Sequence, residues 1–210
     1  MVQAKLIDVA IAEFGAKGLD GASTREIARA AGTAMSSITY HYGGKEGLYL
    51  AAAEHIGERM GAEMADVVDR GPLESGDPAA ARAVVQRMLA RFAEKMAEET
   101  AEERALFIVR EQTHPTAAFD KLYGGPMGGM LGLLVELVCV ASGVADRRAA
   151  AVATVTLFGQ VLALRSSRAT CLRLLEVDRL SGDVLDALKR RIAANTDAML
   201  DRLALEGRQG

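Results

Sequence analysis

The chain has 210 residues and a formal charge of −3; half of it is apolar, aromatics are few and tryptophan is absent. That length allows one or two domains with a sizeable core, and the abundance of alanine and leucine favours helices packed closely on helices. The charge excludes a protein that grips nucleic acid by bulk electrostatics: up to Glu46 the bases Lys5, Lys17, Arg25, Arg29 and Lys45 are matched by Asp8, Glu13, Asp20, Glu26 and Glu46, so a DNA partner must be recognised by a local motif.

In chain order, Leu6, Ile7, Ala10, Ile11 and Phe14 recur at helical spacing, which predicts an amphipathic helix over residues 5–17 that Gly18 terminates. The next stretch, STREIARAAGTAMSSITYHYGGK, reads as two short helices joined by a tight turn. Ser23 and Glu26 form a capping box that opens the first. Ile27, Ala28 and Ala31 share its inner face, and the small Ala28 lets a second helix cross closely. Gly32 ends it by taking the left-handed conformation. The second helix spans residues 35–42 with Met35 and Ile38 as inward anchors; Ala34 cannot cap it. Ser36, Ser37, Thr39, Tyr40 and His41 are left to point away. This is a helix-turn-helix, whose second helix enters the major groove of DNA.

Gly43 and Gly44 break that helix, and a long one starts at Lys45 with Leu48, Ala52, Ile56, Met60 and Met64 along one side. The composition shifts at residues 71–78, which read as a linker. Asp77 then caps a helix with Pro78 in its first turn and an inner stripe of Val85, Met88, Leu89, Phe92 and Met96. A second capping box, Thr100 with Glu103, leads into Leu106, Phe107, Ile108 and Val109. His114-Pro115 forces a break, and a helical piece over residues 116–123 runs into the glycine-rich residues 124–132. That run lacks the Gly-Lys-Ser/Thr ending of a phosphate loop and follows no strand; the alternative is a break and then a helix whose glycines allow close packing. Asp146 caps a helix over residues 147–168 that bends near Ser166-Ser167 and continues to Leu175. Its apolar run, residues 149–164, is shorter than the roughly 20 residues of a membrane span and reads as a buried helix. The last helix, residues 184–205, carries Leu188, Ile192, Met199 and Leu203 on one face. No strand pattern appears.

Chemistry is sparse. His41, His55 and His114 lie on different elements with no partner ligand at helical spacing, so no metal is expected. No nucleophile is paired with a base, and no cofactor motif is present, so the chain does not read as an enzyme. Cys139 and Cys171 lack CxxC spacing and no secretory signal precedes them, which points to a reduced, cytoplasmic protein without a membrane partner. Arg110, Glu111 and Gln112 follow an apolar run and therefore lie near the interior. They are either a structural polar cluster or the polar end of a ligand cavity. Met64, Met88, Phe92, Phe107 and Phe158 are core residues on the simplest reading, and are also what an adaptable apolar pocket is made of.

The residues TREIARAAG followed by SITYHYGGKEGLY resemble the DNA-binding segment of the TetR family of bacterial transcriptional regulators. The chain departs from the common pattern at Thr33 and Ala34, where many relatives carry a valine and a serine or threonine. In the second half, REQTHPTAAFDKLY, the glycine-methionine stretch after it, and LFGQVLALRSSRATCLRLL resemble the carboxyl-terminal domain of the CecR-like (YbiH) branch of that family. The resemblance implies an all-α protein, with a three-helix helix-turn-helix DNA-binding domain over residues 1–58 and a helical effector-binding and dimerisation domain over residues 59–210. It also implies a homodimer held by the last long helices, and a repressor that binds a palindromic operator and is released by a small hydrophobic effector. Carried over by position, the DNA contacts are Thr24, Arg25, Ser36, Ser37, Thr39, Tyr40, His41 and Lys45. Tyr40, Lys45 and the backbone beside Thr24 suit phosphates, whereas Ser37, Thr39 and His41 can reach base edges. The effector residues are expected among Met64, Met88, Phe92, Phe107, Arg110 and Phe158. Two other readings stand beside this one: a helical small-molecule binding protein with a vestigial motif, and an architectural DNA binder without an effector.

Overall fold

A computed structural model describes residues 2–98 and 102–207; the capping box expected at Thr100 lies outside them. Among the described residues the chain is helical throughout, with no strand. It forms two compact units, Met1–Glu63 with Glu99–Gly129 and Met64–Glu98 with Met130–Gly210.

The first unit holds α1 (Val2–Gly21), α2 (Thr24–Ala31), α3 (Met35–Tyr42), nearly all of α4 (Lys45–Met64), α7 (Glu102–Thr113) and α8 (Ala117–Leu122). The backbone of α1 leaves helical geometry at Gly18, where the sequence predicts the stop. Leu6, Ala10, Ile11 and Phe14 of α1, Ile27 and Ala28 of α2, Ile38 of α3 and Leu48, Ala52 and Ile56 of α4 make its core. The same core takes in α7, because α1 crosses it at contact distance: a Cβ on Gly15 would stand 2.7 Å from the Glu103 carbonyl oxygen. Thr116 caps α8 through its hydroxyl, 3.1 Å from the amide of Ala118. A π turn, Tyr123–Met127, joins α8 to α9 (Gly128–Ser142). Its Pro126 sits against Gly61 of α4, where a Cβ would come within 2.9 Å. The glycine run therefore opens a helix, but Gly129 and Gly132 face open space rather than a packed neighbour, which corrects the close packing expected there.

In the second unit α5 (Gly71–Ser75) puts one helical turn, with Pro72 buried, inside the segment expected to be a plain linker. Asp77 caps α6 (Pro78–Ala97) through hydrogen bonds from Ala79 and Ala80. Val84, Val85, Met88, Leu89 and Phe92 of α6 are buried, and α6 packs on both α10 (Arg147–Ser166) and α12 (Gly182–Gly207). Arg82 ties α6 to Asp197 and Asp201 of α12 at 3.0 and 2.5 Å. At the far end of α6 the carbonyls of Lys95, Ala97 and Glu98 accept from Arg165 and Arg168, which satisfies groups the helix itself cannot pair. Between α10 and α12 lies the short α11 (Arg168–Leu175), none of whose residues is buried.

The helix expected to be buried, α10, is buried on one face only. Ala150, Ala153, Leu157, Val161 and Leu164 are covered, while Val152, Val155 and Leu162 are exposed. With Leu205 on α12 these are apolar groups left in water within one chain.

Candidate nucleic-acid interface

Each helix of the motif starts and stops where its local chemistry dictates. The Ser23 hydroxyl accepts from the Glu26 amide at 3.4 Å, and Gly32 closes α2 with φ 72°, a conformation that costs glycine nothing. The turn ends at Ala34, which makes no side-chain cap to α3. Thr33 supplies a substitute tie, its hydroxyl donating to that of Ser37 at 3.1 Å. Gly43 closes α3 with φ 74°.

On α3 the side chain that enters the core is Ile38, 1% exposed. Met35 does not join it as expected and is 52% exposed. At the first position of the helix its side chain leans back toward the amino end, away from the layer that Ile38 enters. The solvent face is formed by Met35, Ser36, Thr39, Tyr40 and His41, with Ser37 half-buried at its flank. Tyr40 is 86% exposed and meets the His41 ring edge-on at 4.9 Å. An aromatic hydroxyl held this far into water has no packing reason for its position, and it suits a phosphate or base edge.

Beside α3, Arg25 and Arg29 are exposed and Thr24 is half-buried on α2. Lys17 is engaged by Glu13 at 2.5 Å and by Glu26 at 2.9 Å, and these hydrogen bonds raise its pKa. Lys45 opens α4 and donates to the Asp20 carbonyl at 2.9 Å, so it positions α4 against the end of α1 while keeping donors to spare for a phosphate. The sequence reading missed that structural duty, because it depends on a contact 25 residues away.

Behind this surface Tyr49 of α4 stands 4.8 Å from Phe14 and 4.7 Å from Phe107, ring to ring. Its hydroxyl donates to Glu111 at 2.6 Å. Glu111 is 1% exposed and also accepts from the amide and hydroxyl of Thr116, each at 3.0 Å. Arg110 donates to the Gly15 and Ala16 carbonyls at 3.5 and 3.2 Å, capping the end of α1 before Gly18. Arg110 and Glu111 thus join α1, α4, α7 and α8, while Gln112 is exposed.

The side chains considered for an effector are divided between the units. Phe107 and Arg110 belong to the first, in the contacts just described. Met64, Met88 and Phe92 are buried in the second, where Phe92 meets Phe158 edge-to-face at 5.2 Å. An open groove on the same unit is lined by Val152, Ala153 and Thr156 of α10 and Met199, Arg202 and Leu203 of α12.

Residues 6–52 match the model of the bacterial regulatory proteins of the tetR family. Residues 79–203 match the C-terminal domain of the HTH-type transcriptional dual regulator CecR. The chain is 29% identical over 205 residues to the HTH-type transcriptional dual regulator CecR of Shigella flexneri, covering 95% of this chain and 92% of that protein. Among solved structures it resembles a TetR-like regulator from Rhodococcus sp. (TM-score 0.65, 18% identity, covering 100% of this chain and 96% of that one). It also resembles FadR from Bacillus subtilis, solved in complex with stearoyl-CoA (TM-score 0.60, 15% identity, 96% and 97% covered). The proteins of this family are transcriptional regulators and not enzymes. With a helix-turn-helix that turns its polar, aromatic face to solvent and the CecR-type domain after it, this chain belongs to the CecR branch of the TetR family of DNA-binding transcriptional regulators.

Proposed function

We propose that the protein is a cytoplasmic repressor that binds a palindromic operator as a homodimer and leaves it when a small hydrophobic effector binds. Residues 1–58 act as the DNA-binding domain and residues 59–210 as the effector-binding and dimerisation domain. The observation that carries the reading is the pair of surfaces left open in one chain. One is the solvent face of α3; the other is the apolar face of α10, with Val155 71% exposed. The first matches a major groove, the second a copy of itself, and two copies related by a two-fold axis are what a palindrome requires.

On DNA, Tyr40, Lys45 and the amino end of α2 at Thr24 and Arg25 hold phosphates, and Ser36, Ser37, Thr39 and His41 face the bases. Serine and threonine discriminate bases less than bidentate side chains do, so phosphate contacts and DNA shape supply much of the affinity. The effector is taken up among Met64, Met88, Phe92 and Phe158, whose flexible thioethers and ring edges suit an apolar ligand. Support for that class comes from the fold-level likeness to FadR, whose structure contains stearoyl-CoA. Phe107 and Arg110, expected among the same effector residues, contact Tyr49 of α4 and the carbonyls at the end of α1 in this structure. The experiment is a selection of duplexes from a random pool by the purified protein, followed by footprinting. A protected inverted repeat supports the reading, and absence of any selected sequence refutes it.

A further inference from the structure

Met35 is the first residue of the recognition helix, and 52% of its surface is open to solvent. Ile38 is the residue of this helix that is buried. Four residues on, and so above it on the same face, stands the exposed Thr39. The two side chains carry methyl groups one helical turn apart on the face that meets DNA. Ser37 differs, being half-buried and carrying no methyl, with its hydroxyl accepting from Thr33.

We infer that Met35, together with the methyl of Thr39, reads the 5-methyl group of a thymine in each half-site. The inference rests on α3 being the helix that enters the groove. In the major groove thymine alone presents a methyl, and apolar side chains are its ordinary partners. A polar side chain at this position would find a hydration shell or a phosphate in free and bound states alike. A thioether gains only by leaving water, and a thymine methyl at the groove floor is the apolar surface on offer there. Burying one methyl-sized group is worth about a fourfold change in affinity.

The test uses a duplex that the wild-type protein selects from a random pool. Each thymine is replaced in turn by deoxyuridine, which keeps the pairing and O4 and removes only the methyl. We expect one thymine per half-site at which replacement weakens wild-type binding about fourfold. Met35→Ala should bind the unmodified duplex more weakly and be nearly indifferent to that replacement, while Met35→Leu keeps most of the sensitivity. Three results overturn the inference: no thymine whose methyl matters, a Met35→Ala protein as sensitive as wild type, or a Met35→Ala protein weakened equally on all duplexes, which would mean a backbone contact. Failure of the wild type to select any sequence would instead bring down the assignment of α3 itself, so the two failures are distinguishable.

Discussion

Glu111 carries a carboxylate at 1% exposure, and its cost is met by hydrogen bonds from Tyr49 and Thr116. Tyr49→Phe removes one of them while conserving shape, and we expect urea unfolding to lose roughly 1–3 kcal/mol with an unchanged denaturant slope. Burial first, and the bond to Glu111 second, push the Tyr49 hydroxyl well above its ordinary pKa. Its folded pKa therefore exceeds the unfolded value of about 10. The stabilisation is complete below that pH and lost as pH rises through the folded pKa, so above pH ~10 wild type should lose stability faster than Tyr49→Phe. At the surface, Tyr40→Ala should weaken operator binding without altering stability. Lys45→Ala should weaken binding, flatten its salt dependence and cost about 1 kcal/mol through the lost bond to Asp20. A Tyr40→Ala or Lys45→Ala protein with wild-type affinity would contradict the phosphate assignments. The sequence left Glu111 open between a structural cluster and a cavity, because its partner Tyr49 is 62 residues away and one chain's periodicity carries no such pairing.

At the scale of elements, boundaries were legible wherever a single side chain decides them. Ser23, Asp77 and Asp146 cap the helices that follow them, and Gly32 and Gly43 end theirs; Thr116, placed inside its helix by the sequence, is instead its cap. Ala34 is the exception, since α3 starts without a side-chain cap. Ala34→Ser should add one and raise stability by about 1 kcal/mol, read as a higher urea midpoint. The packing partner of α7 was not legible. It depends on the close crossing at Gly15, and Gly15→Ala should force α1 from α7 and destabilise by roughly 1–3 kcal/mol. Nor was the direction of Met35 legible, because its spacing from Ile38 fits the core face equally well. An apolar helix such as α10 hides a third ambiguity: spacing marks the apolar positions but does not say whether this chain or a second copy covers them.

In the whole molecule, dimerisation and DNA recognition stand or fall together. Ile192 is buried within its own chain, so charging it would unfold the subunit rather than separate two. Val155→Glu, on the open face of α10, should yield a folded monomer with much weaker operator binding. Ligand and operator should also oppose one another reciprocally, by typically about 1–3 kcal/mol of coupling, which titrating hydrophobic ligands with and without DNA would read. The most direct measurement is the mass of the complex, by sedimentation, on the duplex the protein selects, together with its footprint. An even number of chains is expected on an inverted repeat whose half-site centres lie about 34–36 Å apart or a multiple of that, with both properties lost in Val155→Glu. A single chain protecting an asymmetric site, or a Val155→Glu protein that still binds as the wild type does, would contradict it.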